Sequence, residues 1–214
     1  SEQNRGMPTA AGGVPIVPAA VIFDLSNGTA AHPTPDDGFR AVADASPVTS
    51  VAGRIGAGTG ATVAKLAGVP ALAGLGIASV RAADTVVTAI VVLNAVGDVR
   101  DPDTGAWLVR ATDEAGVEHA GRDIALAGDR TFVRAGENTT IGVILVSHPV
   151  SRDALHRCCV GAHDALARCV IPAHTIFDGD TFFAAAPGDA TTNARSILQL
   201  AADGIIQGFG AGAI

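Results

Sequence analysis

The sequence predicts a single domain of layered α+β fold over residues 1–214. Apolar runs typical of strands are mixed with helical segments without a regular βαβ alternation, which favours α+β over a doubly wound sheet. A length of 214 residues suits one domain. The 26 glycines and the 4% aromatic content indicate small residues at closely packed layers.

The first half of the chain predicts strands around one short helix. Residues 14–25 (VPIVPAAVIFDL) predict an extended, buried entry strand, whose two prolines limit its pairing. Residues 36–45 predict a short helix. Residues 85–96 are rich in β-branched side chains and predict a central strand. The turn-forming residues 101–105 are followed by a strand at 106–111, which predicts a hairpin.

The second half predicts a loop and then two strand–helix pairs. Residues 113–138 are polar and contain four glycines, which indicates a long surface connection. Ser151 is expected to cap the first of the two helices, which buries a stripe containing the three cysteines. The predicted elements are a strand at 140–147, a helix at 152–170, a strand at 181–186 and a helix at 191–207.

Composition excludes several classes of function. A net charge of −7 disfavours a nucleic-acid groove, which needs clustered Lys and Arg. No run approaches the ~20 apolar residues that span a bilayer, and the first residues lack a signal-peptide pattern. The cysteine count of three is odd, so a disulfide framework is not expected and a cytoplasmic location fits best.

Polar residues stand at the ends of three predicted strands. These are Asn94, Thr139 and the pair Asp178 and Asp180. A rigid scaffold can present such residues to a cleft, but from spacing alone separate turns and caps are the favoured explanation. Lys65 is the only lysine in the sequence, which leaves two interpretations open: a surface charge, or a site residue used as a compact cation.

Two other patterns predict no site. The glycine-rich residues 53–60 match neither the phosphate-loop motif nor the dinucleotide fingerprint, so close layer packing explains them better. His156, Cys159 and His163 have spacing that suits a metal, but no second ligand pair matches them. The cysteines lie on the predicted buried stripe and are expected to be core residues.

Thr139 lies where a polar loop enters a buried strand. A threonine hydroxyl is a poor nucleophile unless it begins a chain, where the free α-amine can act as its base. The ordinary pKa of that amine, ~7.7–8.0, is close to working pH. The alternative is a loop followed by a strand, without chemistry.

Five segments together resemble the L-aminopeptidase/D-esterase and β-aminopeptidase family, which includes the nylon-oligomer (6-aminohexanoate-oligomer) hydrolase. They occur in the family's order and span most of the chain. The segments are VPIVPAAVIFDL (14–25), GAGTGATVAK (56–65), VLNAVGDV (92–99), NTTIGV (138–143) and AHDALARCVIPAHTIFDGDT (162–181).

The resemblance implies an N-terminal-nucleophile hydrolase with a four-layer αββα sandwich. It also implies one self-cleavage between Asn138 and Thr139, giving pieces 1–138 and 139–214. Thr139 would be the nucleophile, Lys65 the site lysine and Asn94 an oxyanion donor. Asp178 and Asp180 would be the two acidic residues beside the nucleophile.

The function implied is hydrolysis of small peptides, amino-acid amides or synthetic oligoamides through an acyl-enzyme on Thr139. Two alternatives remain open: acyl transfer to an amine, as in ornithine acetyltransferases, and an inactive family member. The family implies homo-oligomers, often tetramers, and neither cofactor nor metal. The resemblance also implies that the family's N-terminal portion, ahead of residues 14–25, is missing from this chain.

Overall fold

The computed structural model describes residues 6–46, 51–82, 84–128, 133–134 and 136–188. Helix α1 is Pro35–Ala43, α2 is Gly121–Ala127 and α3 is Arg152–Cys169. The strands are β1 Met7–Thr9, β2 Gly12–Val14, β3 Thr62–Val63, β4 Ala71–Leu72, β5 Leu75–Ala82, β6 Thr85–Val92, β7 Asp98–Arg100, β8 Trp107–Val109, β9 Ala111–Thr112, β10 Glu118–His119, β11 Ile141–Val146, β12 Val170–Ile171 and β13 Thr181–Ala185.

The main sheet has four strands in the order β13-β11-β6-β5. β6 is antiparallel to both neighbours, whereas β11 and β13 run parallel. Buried and half-buried positions alternate along β6, as the two faces of a strand require. The central strand predicted from the β-branched run is therefore confirmed, and it ends two residues before Asn94.

Helix α3 packs against β11 and β13, and also against the smaller sheet β12-β7-β8. Ser151 caps its first turn by accepting a hydrogen bond from the Ala154 N–H, as predicted. The buried face consists of small side chains that allow close approach to the sheet. Its members are Ala154, Cys158, Gly161, Ala162, Ala165, Leu166 and Cys169.

Gly142 in β11 is required by its neighbour in β13. The parallel register places Gly142 opposite Phe182, and a Cβ atom on this glycine would overlap the Phe182 ring. The ring also contacts the edge of His163 on α3, with the ring centroids 4.8 Å apart. The glycine therefore makes room for the aromatic contact that joins β11, β13 and α3.

The structure corrects two sequence predictions. Residues 14–25 are not a buried strand: only Val14 belongs to β2, and Ile16, Val17 and Val21 are 69%, 78% and 80% exposed. These residues form no ladder with the main sheet, so apolar composition alone did not bury them. Residues 113–138 are not simply a loop, since they contain β10 and α2.

The other predicted elements that fall on described residues are confirmed. They are the helix at 36–45, the hairpin around 101–105, the strands at 140–147 and 181–186, and the helix at 152–170. The helix predicted at 191–207 lies outside the described residues. No helix in the described part of the chain is both long and apolar enough to cross a bilayer.

Candidate active site

The sheet register brings Thr139 beside two other chain segments. The parallel pairing of β11 with β13 begins at Ile141 and Thr181, and an isolated parallel bridge joins Asn138 to Asp178. The antiparallel pairing of Ile141 with Val92 continues past the end of β6, where the Thr139 N–H donates to the Asn94 carbonyl at 3.1 Å. Strand ends therefore converge on the Asn138–Thr139 peptide bond.

Lys65 lies on one side of this bond and is only 9% exposed. Its Nζ donates to the Asn94 carbonyl at 3.1 Å, to Asn94 Oδ1 at 3.0 Å and to Asn138 Oδ1 at 2.9 Å. These three acceptors match the three N–H bonds of an ammonium. We call Lys65, Asn94 and the Asn138 side chain the lysine cluster.

The backbone places Lys65 at this point. Ala64, just before it, adopts a left-handed conformation with φ 55°, and the N–H groups of both residues donate to carbonyls of Val96 and Gly97. Burial lowers the pKa of Lys65 to about 8, although the negative charges of Asp178 and Glu137 oppose the shift. The ammonium is therefore the main form at neutral pH.

The Asn94 amide is oriented by groups on both of its ends. Its Oδ1 accepts from the Thr62 N–H at 3.0 Å as well as from Lys65. Its Nδ2 donates to the carbonyl oxygens of Glu137 at 3.2 Å and Phe23 at 3.4 Å. In this conformation the amide N–H groups of Asn94 are directed at those two carbonyls rather than at the Asn138 carbonyl.

The Asn138 carbonyl oxygen accepts a hydrogen bond from the Gly179 N–H at 2.7 Å. A Cβ atom on Gly179 would lie 2.9 Å from the Thr139 Oγ1, so the bare glycine faces the hydroxyl directly. Sequence reasoning missed Gly179, although its position between two aspartates at a strand end is a visible signal.

The two threonines at this junction differ in accessibility. Thr139 is half-buried, whereas Thr140 is fully buried, and its Oγ1 has no hydrogen-bond partner among the described residues. A hydroxyl enclosed in the core cannot meet a substrate. The geometry therefore favours Thr139 over Thr140 as the candidate nucleophile. The sequence alone shows two adjacent threonines and does not distinguish them.

Two aspartates also lie at this junction. Asp178 Oδ1 accepts from the Val96 N–H at 3.1 Å, and its Oδ2 accepts from the Thr175 hydroxyl at 2.6 Å. Burial raises the pKa of Asp178, the hydrogen bond from Thr175 opposes that, and the negative charge of Asp180 raises the pKa further.

Asp180 binds the residue after Thr139. Its Oδ1 accepts from the Thr140 N–H at 2.9 Å, and its Oδ2 lies 2.8 Å from His174 Nδ1. Its side chain is only 3% exposed. We call Asp178, Asp180, Thr175 and His174 the acid cluster. The sequence analysis did not identify His174 or Thr175, although both fall within the AHTIFDGDT segment.

The three cysteines take no part in this arrangement. Burial raises the pKa of the Cys158 and Cys169 thiols to about 11, which keeps them protonated and unreactive at neutral pH. Within the described ranges, no group of three or more His, Cys, Asp or Glu is arranged to hold a metal ion.

An apolar cavity of about 260 Å³ lies elsewhere, lined by β4, β5, β7, β8 and residues next to them. It includes Val63 and Leu93, the direct neighbours of Thr62 and Asn94, but none of the predicted site residues. The predicted site residues therefore meet at the Asn138–Thr139 bond and not in this cavity.

Comparison with solved structures supports the α+β fold. A β-aminopeptidase from Burkholderia sp. aligns with a TM-score of 0.52 and 22% identity, covering 86% of this chain and 51% of that one. A protein from Pyrococcus horikoshii also aligns with a TM-score of 0.52, at 20% identity, covering 84% and 47% respectively.

Relatives in sequence include an aminopeptidase of Mycobacterium leprae described as uncharacterized. It is 38% identical over 226 aligned positions, which cover 99% of this chain and 61% of the relative. A 6-aminohexanoate-oligomer endohydrolase of Kocuria sp. is 35% identical, over 79% of this chain and 49% of the relative. The chain thus spans about half to three-fifths of the length of these relatives. The model of peptidase family S58 matches residues 2–213, so this chain belongs to that family.

Proposed function

We propose that the chain is a self-processing hydrolase of amide bonds whose nucleophile is an N-terminal threonine, Thr139. The observation that carries the proposal is the way the Asn138–Thr139 peptide is held. The Gly179 N–H binds its carbonyl oxygen and the Asn94 carbonyl accepts from its N–H. Lys65 holds the Asn138 side chain. Ordinary loop packing does not need three polar groups directed at one peptide.

Maturation would begin with attack of Thr139 Oγ on the Asn138 carbonyl carbon. An Oγ–C bond forms, the C–N bond breaks and the hydroxyl proton ends on the Thr139 nitrogen, leaving an ester. Water then hydrolyses that ester. Negative charge develops on the Asn138 oxygen, so the Gly179 N–H becomes a stronger partner during the attack.

Turnover would use the amine freed by maturation. It accepts the Oγ proton while Oγ bonds to a substrate carbonyl carbon, the substrate C–N bond breaks, and the leaving amine receives that proton. Water then hydrolyses the Thr139 ester, which releases the acid and restores the hydroxyl. The Asn94 carbonyl, which already accepts from the Thr139 nitrogen, would orient the amine. Asn94 remains our predicted oxyanion donor for the substrate, a role that requires its amide to leave the Glu137 carbonyl that it binds here.

The cation and the carboxylates have separate roles in this proposal. Lys65 supplies positive charge against the nucleophile from a buried position. Asp178 fixes the Val96 and Thr175 backbone groups. Asp180 fixes Thr140. Either aspartate could also bind a cationic amine at the end of a substrate.

Small peptides, amino-acid amides and oligoamides are the proposed substrates. The name of the Kocuria relative supports oligoamides, and that of the M. leprae relative supports peptides. The four-layer αββα arrangement, a homotetramer and a cytoplasmic location belong to the same proposal. It needs no cofactor, since the hydroxyl, amine and hydrogen-bond donors suffice for acyl transfer to water.

The substrate class is tested on cleaved protein with an amino-acid amide, a dipeptide and a linear 6-aminohexanoate oligomer. Each is incubated with and without ornithine as an acceptor amine, with Thr139→Ala as the matched inactive control. The proposal expects hydrolysis products without the acceptor. Product that forms only with the acceptor would identify an acyltransferase instead, and no product from cleaved protein would indicate an inactive member.

A further inference from the structure

The Asn138 side chain is enclosed, and both of its polar atoms have partners. The residue is only 2% exposed. Its Oδ1 accepts from Lys65 Nζ at 2.9 Å, and its Nδ2 donates to the Arg134 carbonyl at 2.9 Å and to the Phe177 carbonyl at 3.4 Å. The space that this side chain fills therefore has a donor at one end and acceptors at the other. We call this space the amide pocket.

The contacts that hold Lys65 and Phe177 do not depend on the scissile bond. Lys65 Nζ also donates to the carbonyl and to Oδ1 of Asn94, and the Phe177 N–H donates to the Thr175 hydroxyl. If Asn138 withdrew after cleavage, one N–H of a buried ammonium would lose its acceptor, which costs free energy. The emptied amide pocket therefore favours a ligand that brings an oxygen acceptor to Lys65.

Cleavage itself destabilises Asn138 in the amide pocket, because it converts the Asn138 carbonyl into a carboxylate. The negative charges of Asp178 and Glu137 already act on Lys65. The new charge thus joins two carboxylates around a single buried ammonium, and like charges repel more strongly where water is excluded. A substrate that presents a neutral amide carbonyl at this position does not meet that repulsion, so it can replace the new C-terminus.

A primary carboxamide fits the amide pocket better than other side chains of similar size. Its oxygen accepts from Lys65, and its N–H donates to the Phe177 carbonyl. An aspartate carboxylate has no N–H and would place a lone pair against that carbonyl oxygen. A leucine side chain would leave the Lys65 N–H unpaired. A site that hydrogen-bonds its ligand in this way rejects analogues that lack the bonding group.

We propose that the amide pocket receives the side chain of the substrate residue whose carbonyl is attacked, and that it selects a primary carboxamide. A residue held there places its carbonyl where the Asn138 carbonyl lies now, next to the Gly179 N–H and Thr139 Oγ1. The preferred substrates are then peptides and amides with an N-terminal asparagine. This inference rests on the proposed function, since the same Thr139 hydroxyl attacks both carbonyls.

The pocket is tested first without any activity, in the full chain carrying Thr139→Ala and Asn138→Gly. The second change empties the amide pocket, and acetamide has the structure of the missing side chain. We expect acetamide to raise the unfolding temperature of this chain in a concentration-dependent way, and acetate to do so much less. The matched control carries Thr139→Ala alone, so its own Asn138 fills the pocket.

Two outcomes of the acetamide experiment would overturn the carboxamide site. One is an equal response of the emptied chain and the control, which would mean that acetamide binds elsewhere. The other is a response to acetate as large as the response to acetamide, which would mean that the pocket selects only for an oxygen acceptor.

Selectivity is tested on cleaved wild-type protein with the p-nitroanilides of asparagine, aspartate and leucine, whose side chains are similar in size. We expect kcat/KM for the asparagine substrate to exceed the other two values by about tenfold or more. Equal or faster hydrolysis of the leucine or aspartate substrate would overturn the selectivity and leave the proposed function standing. If no amide is hydrolysed, the proposed function fails, while the acetamide result still decides whether the pocket binds a carboxamide.

Discussion

The lysine cluster and the acid cluster meet at the same peptide bond and are assembled in different ways. Lys65 reaches across 29 residues to Asn94 and 73 residues to Asn138, and its three partners are neutral oxygens. The acid cluster lies within residues 174–180 of one loop, and its partners include backbone N–H groups and a histidine.

The two clusters also differ in which charges stabilise their ionised groups. Burial acts against charge on both Lys65 and Asp178, lowering the pKa of the first and raising the pKa of the second. Attraction between these two residues opposes the shift of Lys65. Lys65 therefore depends on an acid that belongs to the other cluster, whereas Asp180 contacts a histidine of its own loop. We expect substitutions in the lysine cluster to disturb the chemistry more.

The largest effect is expected at the bond itself. Thr139→Ala removes the attacking hydroxyl and should abolish both self-cleavage and amide hydrolysis, whereas Thr140→Val removes a buried hydroxyl that has no partner among the described residues. We expect Thr140→Val to cleave normally and to unfold at an equal or higher temperature, because no hydrogen bond is lost. Denaturing electrophoresis and thermal unfolding measure both. Self-cleavage by Thr139→Ala would refute the assignment.

Lys65→Met should have the next largest effect. Methionine fills a similar volume without charge, and it removes the ammonium donor that the Asn94 and Asn138 side-chain oxygens share. We expect self-cleavage to slow by about 100-fold or more, the size seen when one charge-stabilising donor is removed from an active site. The rate is measured from the time course of the uncleaved band. A rate within threefold of wild type would remove Lys65 from the mechanism.

The pH dependence of self-cleavage in the wild type also tests the role of the Lys65 charge. Because the pKa of Lys65 is about 8, its ammonium is lost as pH rises through that value. No free α-amine exists at Thr139 before cleavage, so a fall in the self-cleavage rate above pH 8 would report Lys65. That fall should be absent from the residual rate of Lys65→Met.

Gly179→Ala should have a smaller effect. The added Cβ atom would lie 2.9 Å from Thr139 Oγ1, so the hydroxyl must turn away from its present position. The backbone N–H that binds the Asn138 carbonyl is kept. We expect self-cleavage to slow by about tenfold, since displacement of a reacting atom costs rate without removing a group. An unchanged rate would show that the hydroxyl reacts from another rotamer.

Much of the fold could be predicted because it depends on local pattern. The β-branched run gave β6, and Ser151 with the spaced apolar residues gave α3. The prediction for residues 14–25 was wrong because their apolar residues match a strand, while burial requires packing contacts that Ile16, Val17 and Val21 do not make within the described part of the chain. The apolar pattern of a segment carries no information about which other segments pack against it.

The site was harder to predict than the fold. The sequence around Lys65 did not decide between a surface charge and a site residue, since nothing near it indicates partners 29 and 73 residues away. Only the family resemblance grouped it with Asn94 and Thr139. His174 and Gly179 were missed although they lie beside Asp178 and Asp180, because their roles come from ring and backbone geometry rather than from residue type.

The most direct test of the account is the intact mass of the freshly purified chain under denaturing conditions, with sequencing of the new N-terminus. The account predicts two pieces, 1–138 and 139–214, the second beginning with Thr139. An uncut chain of 214 residues, or a new N-terminus at Thr140, would contradict it.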